Sequence, residues 1–285
     1  MESERVRYDL AFGMGFSCGA STALRAAGLQ QASYPLDWIG SPGIVASARM
    51  IAADFSGWFE KDDLRLYDIR RGALNKHVYL NVRTGFGFPH DFSSFIGFEE
   101  AYPEIRAKYD RRIARFLEET GRAKRLLAVY IEFPVKGRAP NAELEEARKA
   151  IAARFPGATV DLLYFHEGVG VERPAVEEIA PGLTAVKVEY RELEHGQVMH
   201  TVDHSRIAEY LAANVEVADN RTPEERAGYA ERRAARRSAR WGKGGFIDRL
   251  LNRMAYRVYR KLEKRLIARG LVPWEGPLWF VRFDK

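Results

Sequence analysis

The chain has 285 residues, of which 46% are hydrophobic and 29% are charged, a composition typical of a soluble protein with one sizeable core. A single cysteine excludes an internal disulfide, and no stretch approaches the roughly 18 apolar residues that a membrane-spanning helix needs. The first residues are charged and lack the apolar segment of a secretory signal, so the sequence predicts a cytoplasmic location.

The N-terminal half alternates between strand and helix patterns. A glycine-bearing turn follows the first strand, and a helix with small apolar residues on one side follows that turn. The serine and proline at 41–42 are residue types preferred at a helix start. The predicted elements are a strand at 6–12, helices at 18–27 and 41–54, a strand at 78–82, a structured aromatic loop at 84–98 and a helix at 100–119.

The clearest pattern lies between residues 126 and 216. The continuous apolar run at 126–133 is suited to a strand buried on both faces. Strands that alternate with helices of about ten to fifteen residues pair in parallel through right-handed crossovers. We therefore predict an α/β domain over residues 6–216, a three-layer sandwich with a mainly parallel sheet. Its further elements are a helix at 141–155, strands at 159–165 and 183–188, and a helix at 205–215.

Residues 217–285 are predicted to form a basic helical extension. Between residues 221 and 269 there are 16 Lys or Arg and 5 Asp or Glu. In a helix predicted at 246–268, apolar residues recur every three or four positions and basic residues occupy the other faces. Three interpretations stay open: packing on the domain, docking to a partner or to an anionic surface such as the inner membrane, and non-specific binding to nucleic acid. Because we find no recognition module, specific nucleic-acid binding is not predicted.

Cys18 is the candidate nucleophile. It lies where the first predicted strand turns into the first helix, and helix N-termini present free N–H groups at that edge of an α/β sheet. Those N–H groups and the helix dipole stabilise a thiolate and could also bind an oxyanion. The alternative is that Cys18 is a small buried apolar residue.

The glycines around Cys18 raise the question of a nucleotide-binding loop. Gly13 and Gly15 match the first two glycines of a G-x-G-x-x-G motif, but Cys18 stands where the third is needed. No Lys-Ser or Lys-Thr pair follows, so a phosphate-binding loop is not supported either. We therefore predict no cofactor.

His90 is the first candidate base. It lies in the segment FPHDF at 88–92, and burial or a neighbouring carboxylate can tune an imidazole for proton transfer near neutral pH. The adjacent Asp91 could orient the ring. The alternative is an aromatic loop that packs on the core and contains a histidine with satisfied hydrogen bonds.

Three motifs carry a resemblance to a known family. They are the segment GMGFSCGA at 13–20, the segment SYPLDW at 33–38 and the segment PHDF at 89–92. Together they resemble the papain-like cysteine peptidase family, a bacterial domain of unknown function, and the resemblance extends over residues 6–190.

The resemblance implies a catalytic set. Cys18 would be the nucleophile and His90 its base, with Asp37 or Asp91 as the carboxylate that orients the imidazole. Our leading hypothesis is therefore a cysteine-dependent hydrolase or acyl transferase, peptidase-like, that acts on a peptide, an amide or an ester.

A second constellation precedes the last predicted helix of the domain. Its layout is similar to that of SGNH-type esterases, in which a nucleophile follows the first strand and an Asp/His pair precedes the final helix. Here Cys18 would replace the serine, and His204 or His200 would be the base with Asp203 as its orienting group. His195, His200, Asp203 and His204 also have spacings at which a metal can bind, but they form no compelling ligand set, so no metal site is predicted.

A third hypothesis is a non-catalytic accessory protein. In that case the aromatic loop at 86–95 would bind a saccharide or a partner, and the basic extension would dock to a membrane surface. This hypothesis predicts an unreactive Cys18.

Overall fold

The computed structural model describes residues 5–70, 76–132, 137–168, 170–189, 191–192 and 202–219, with a few positions between 222 and 231. Most of the basic extension, including the helix predicted at 246–268, lies outside the described residues, and so do His195 and His200. The division into a domain at 6–216 and an extension at 217–285 stays a prediction. No helix of the described ranges is both long enough and apolar enough to cross a membrane.

The described chain folds into five α-helices, two short 3-10 helices and a set of strands. The helices are α1 (Gly19–Ala26), α2 (Ile44–Ala52), α3 (Phe98–Arg122), α4 (Asn141–Arg154) and α5 (Ser205–Asn214), and the 3-10 helices are Pro35–Trp38 and Lys61–Asp63. The strands are β1 (Val6–Tyr8), β2 (Leu10–Gly13), β3 (Leu64–Arg70), β4 (Lys76–Asn81), β5 (Gly87–Ser93), β6 (Arg125–Ile131), β7 (Thr159–Glu167), β8 (Ala175–Ala180), β9 (Leu183–Val188), β10 (Arg191–Glu192), β11 (Val202–Asp203) and β12 (Val215–Val217).

The central sheet has the strand order β2-β6-β7-β9-β8. The pairs β2–β6, β6–β7 and β7–β9 are parallel, and β8 joins the outer edge in antiparallel orientation. The predicted α/β class with a mainly parallel sheet is confirmed. The apolar run is continuous in β6 because both faces of that strand are covered, so every side chain from Leu126 to Ile131 is buried.

Two hydrophobic clusters lie on opposite faces of this sheet because successive side chains of a strand alternate between faces. On one face Ala128 and Tyr130 of β6 belong to a cluster with residues of α2, α3 and α4. On the other face Leu127 and Val129 belong to a cluster with residues of α1 and α5. Helices therefore cover both faces.

A second sheet, with the antiparallel order β3-β4-β5, corrects the loop prediction at 84–98. Strand β5 occupies part of that segment, and its Phe88 and Phe92 are buried. Between these two residues the register with β4 shifts: Phe92 lies opposite His77 and Phe88 opposite Tyr79. The bulge accommodates Pro89, which lacks an N–H for the ladder, and this irregularity hides the strand from a period-two pattern.

Several predicted boundaries are also corrected. The strand expected at 6–12 is divided by Asp9, whose carboxylate accepts the N–H groups of Lys124 and Arg125 at 2.7 and 2.9 Å. Helix α2 begins at Ile44 after Gly43, two residues later than the Ser-Pro signal suggested. Strands β3 and β8 were not predicted from the sequence.

Strand β12 pairs in parallel with β1, so the last described strand lies beside the first. Helix α5, which leads into β12, packs beside α1. Strands β1 and β12 form a two-stranded sheet of their own. Helix α1 follows β2, a parallel strand of the central sheet, so it begins at the carboxyl edge of that sheet. That edge is where open α/β sheets bind ligands.

Candidate active site

Cys18 lies at the N-terminus of α1, after the turn that follows β2. It is the N-cap residue, with φ −68° and ψ 0°, and its carbonyl accepts the Thr22 N–H at 2.9 Å. Cys18 is half-buried, so the residue is partly open to solvent. The sequence-based position of Cys18 at a strand-to-helix turn agrees with the structure.

Gly15 holds this turn against the 3-10 helix at Pro35–Trp38. Its φ of +54° lies in the left-handed region, and an added Cβ would be 2.3 Å from the carbonyl oxygen of Leu36. A larger residue would force the two segments apart. Gly15 therefore has a packing role here, which is a different use from a nucleotide-binding loop.

His204 lies against the same turn. It is the N-cap residue of α5, and a Cβ built on Gly19 would be 2.8 Å from its Nε2 and 3.0 Å from its Cε1. The Ser17 hydroxyl accepts the Gly19 N–H at 3.3 Å on the same side. The imidazole edge thus approaches the residue that directly follows Cys18, and only glycine permits this approach.

Asp203 lies directly before His204 in β11. The backbone of that strand pairs with β10, where Arg191 lies opposite Asp203. In the described ranges no group of three or more His, Cys, Asp or Glu side chains could hold a metal ion.

His90 and Asp91 lie in the bulge of β5. The ring of His90 meets the ring of Trp38 edge to face, with centroids 6.4 Å apart. Asp91 accepts the Tyr109 hydroxyl at 2.5 Å and is also bonded by Lys108. Burial lowers the pKa of Lys108 despite this pairing. The carboxylate of Asp91 is thus engaged with helix α3.

Asp37 is completely buried beneath α1. One carboxylate oxygen accepts the Ser21 hydroxyl at 2.7 Å, and the other accepts Gln30 Nε2 at 2.8 Å and the Tyr34 N–H at 2.7 Å. Burial raises the pKa of Asp37 to about 6, although the bonds from the Tyr34 N–H and the Ser21 hydroxyl and the charges of two nearby arginines oppose the rise. Sequence reasoning missed Ser21 and Gln30; the signal for Ser21 was a hydroxyl among the small inward-facing residues of α1.

The two histidines reach α1 differently. His204 meets the first residue of the helix, whereas His90 contacts Trp38, and Trp38 lies under the guanidinium of Arg25 at 4.7 Å in the last turn. Gly19 and Arg25 are six residues apart, or about 9 Å along a helix axis. The direct approach favours His204 as the neighbour of Cys18.

A family model described as "Putative papain-like cysteine peptidase (DUF1796)" matches residues 9–157, more than half of the chain. The chain belongs to this family. The region that the family model covers contains Cys18, Asp37, His90 and Asp91, while His204 lies beyond it. No curated protein and no solved structure matches the chain.

The aromatic segment that the accessory hypothesis invokes is largely internal. Phe86, Phe88 and Phe92 are buried, and only Phe95 of the four phenylalanines at 86–95 is exposed. A saccharide would find one aromatic side chain here instead of a stacking platform.

Proposed function

We propose that this chain is a cysteine-dependent hydrolase or acyl transferase, with Cys18 as the nucleophile and His204 as its base. The observation that carries the proposal is the approach of the His204 ring to Gly19, next to the half-buried Cys18. Membership of a family described as cysteine peptidases supports the same class of chemistry.

In the proposed reaction the Cys18 thiol gives its proton to the imidazole, and the thiolate attacks a carbonyl carbon. The new C–S bond leaves an oxyanion, which collapses to a thioester when the amine or alcohol leaves with the proton from the imidazolium. Water, deprotonated by the same imidazole, then attacks the thioester and releases a carboxylic acid and the thiol. In acyl transfer, an alcohol or amine takes the place of water.

The first turn of α1 would stabilise the oxyanion. Backbone N–H groups at the start of a helix have no partner within the helix, and they point outward with the positive end of the dipole. The Ala20 N–H lies in this turn, and the Gly19 N–H, which donates to the Ser17 hydroxyl at 3.3 Å, would exchange that partner for the oxyanion. No side-chain donor is required.

The layout of nucleophile and base is similar to that of SGNH-type esterases. Cys18 follows the first strand of the central sheet, and His204 precedes α5, the helix that leads into β12, the partner of β1. We propose Asp203 as the orienting group because it adjoins His204. This similarity supports an ester or amide substrate as well as a peptide.

His90 is the competing base, because the family resemblance assigns it that role and it lies within the matched region. Alkylation by iodoacetamide separates the two histidines, since the single cysteine makes the reaction specific for Cys18. The rate constant is measured from pH 5 to 9 in the wild type, in His204→Ala and in His90→Ala.

We expect His204→Ala to slow alkylation near pH 7 by about tenfold, because loss of an adjacent base lowers the thiolate fraction. The matched variant His90→Ala should keep the wild-type profile. A shift in His90→Ala alone would transfer the base role to His90. An ordinary thiol profile in all three proteins, without acylation of Cys18 by p-nitrophenyl acetate, would contradict the enzyme proposal.

A further inference from the structure

One of the three hydrogen bonds of Asp37 comes from the first turn of the helix that begins after Cys18. Ser21 is the third residue of α1 and is 1% exposed, and its hydroxyl donates to Asp37 at 2.7 Å. The same hydroxyl lies 2.9 Å from the position of a Cβ built on Gly13, at the end of β2. Ser21 is thus enclosed between the end of a strand and a buried carboxylate.

Ser21 and Cys18 are three residues apart, so they lie on the same side of α1, one turn apart. A constraint on Ser21 is therefore a constraint on the orientation of the turn that begins with Cys18. The other partners of Asp37, Gln30 and the Tyr34 N–H, belong to the segment that follows α1. Asp37 joins that segment to the start of the helix.

We propose that Asp37 is a positioning residue that acts through Ser21 to hold the first turn of α1, and with it the Cys18 thiol and the N–H groups for an oxyanion. This role differs from orienting an imidazole, which the family resemblance had suggested for Asp37. The inference rests on the proposed function, because it concerns the geometry of the nucleophile.

The polar environment of Asp37 makes the hydrogen-bonded arrangement depend on ionisation. The charged groups that face it are Arg25 from α1 and Arg112 from α3, and the titratable hydroxyls of Tyr34 and Tyr109 are near. As a carboxylate, Asp37 accepts all three hydrogen bonds. Protonation turns one oxygen into a donor, which conflicts with donors that already point at it.

The test uses the single cysteine as its reporter. Alkylation rates of Cys18 are divided by the thiolate fraction, which is followed separately by ultraviolet absorbance from pH 5 to 9. The variants are Ser21→Ala and Asp37→Asn. Ser47→Ala is the matched control. Ser47 is also a buried helical serine but lies in a different helix, α2, and its hydroxyl is 2.6 Å from the Ser41 hydroxyl.

In the wild type, the rate per thiolate should fall below an inflection near pH 6, and Asp37→Asn should lack this inflection. Ser21→Ala should also lack the inflection, because it removes the hydroxyl through which Asp37 acts, and it should lower the rate per thiolate by about tenfold. Ser47→Ala should reduce stability but leave the rate per thiolate unchanged.

Equal effects of Ser21→Ala and Ser47→Ala, or a wild-type profile without the inflection, would overturn the positioning role. The wild-type profile decides even if a variant fails to fold. If the alkylation profile changes in His204→Ala and the rate per thiolate does not change in Ser21→Ala, this inference is overturned and the proposed function stands. If the rate per thiolate changes in Ser21→Ala and the alkylation profile changes in neither histidine variant, the positioning role is supported and the proposed base is contradicted.

Discussion

Two of the motifs that define the family resemblance have different surroundings. Around PHDF at 89–92, the phenylalanine side chain is buried among rings and Asp91 is held by Tyr109 and Lys108 of α3. In the segment that contains Cys18, Gly19 meets the Ser17 hydroxyl and the edge of His204, and Cys18 itself is half-buried. The comparison indicates that PHDF contributes to the core that supports the fold, whereas the other motif holds a half-buried cysteine whose next residue meets an imidazole.

The largest expected effect belongs to the aromatic region. Trp58 is 1% exposed and meets Phe88 and Tyr109 with ring centroids 5.3 and 5.1 Å apart. Trp58→Ala should lower the free energy of unfolding by about 3–5 kcal/mol, because it removes a large buried ring. Urea unfolding measures this loss, and alkylation of Cys18 should keep its wild-type pH profile.

Trp58→Phe is the matched control for that variant. It keeps a ring and removes the buried Nε1–H, for which the described residues provide no hydrogen-bond acceptor. It should therefore cost much less stability than the alanine variant. An altered pH profile of Cys18 alkylation in Trp58→Phe would show that the two regions are coupled, contrary to the separate roles inferred for them.

The next effect is expected at Asp37, which is bonded to the first turn of α1. Its pKa is raised from 3.8 to about 6, so the folded state binds this proton more tightly than the unfolded state does. The stability that protonated Asp37 contributes is fully present below pH 3.8 and is lost as the pH rises through 6. The loss is about 3 kcal/mol, from 1.36 kcal/mol per unit.

The measurement compares the free energy of unfolding at pH 4 and pH 7 in the wild type and in Asp37→Asn. The difference between the two proteins in their pH dependence isolates the contribution of this carboxyl. If Asp37→Asn has the same pH dependence as the wild type, Asp37 does not titrate in this window.

A smaller effect is expected at the glycine beside the thiol. Gly19→Ala puts a Cβ within 2.8 Å of His204 Nε2 and so displaces the ring, while alanine itself suits a helix. Alkylation of Cys18 near pH 7 should slow by about tenfold. Gly43→Ala is the control, because Gly43 also precedes a helix and an added Cβ there meets no atom within 4 Å. Equal rates in both variants would contradict the assignment of His204.

The smallest effect is expected at Trp38, which lies between His90 and Arg25. Trp38→Ala should change the alkylation rate by less than about threefold, because His90 reaches α1 only through Trp38. A decrease in the alkylation rate as large as that expected for Gly19→Ala would favour the bulge of β5 as the position of the base and would support His90.

The central sheet could be predicted from the sequence because its strands are apolar on both faces. The strand at 183–188 and the run from Leu126 are apolar for the same reason, which is that helices cover both sides of the sheet. Strand β5 could not be predicted, because Pro89 and the bulge interrupt its alternation. Strand β8 was missed because four of its residues, from Ala175 to Glu178, are exposed at the edge of the sheet.

The candidate site could be predicted only in part. Cys18 was found because strand-to-helix turns expose helix N-termini, a local property of the sequence. The contact of His204 with Gly19 joins residues that are far apart in the chain, so it depends on how α5 packs beside α1. The bond between Asp37 and Ser21 was missed for the same reason: two polar residues become partners only when both are buried.

The return of β12 to β1 has a consequence for where the chain can be shortened. The family match ends at residue 157, before β7 and β9 of the central sheet and before β12, the partner of β1. A fragment cut there would leave β6 and β1 with unpaired edges and would lack α5, which packs beside α1. We therefore expect the smallest fragment that folds to be longer than the matched region and to extend at least to Val217.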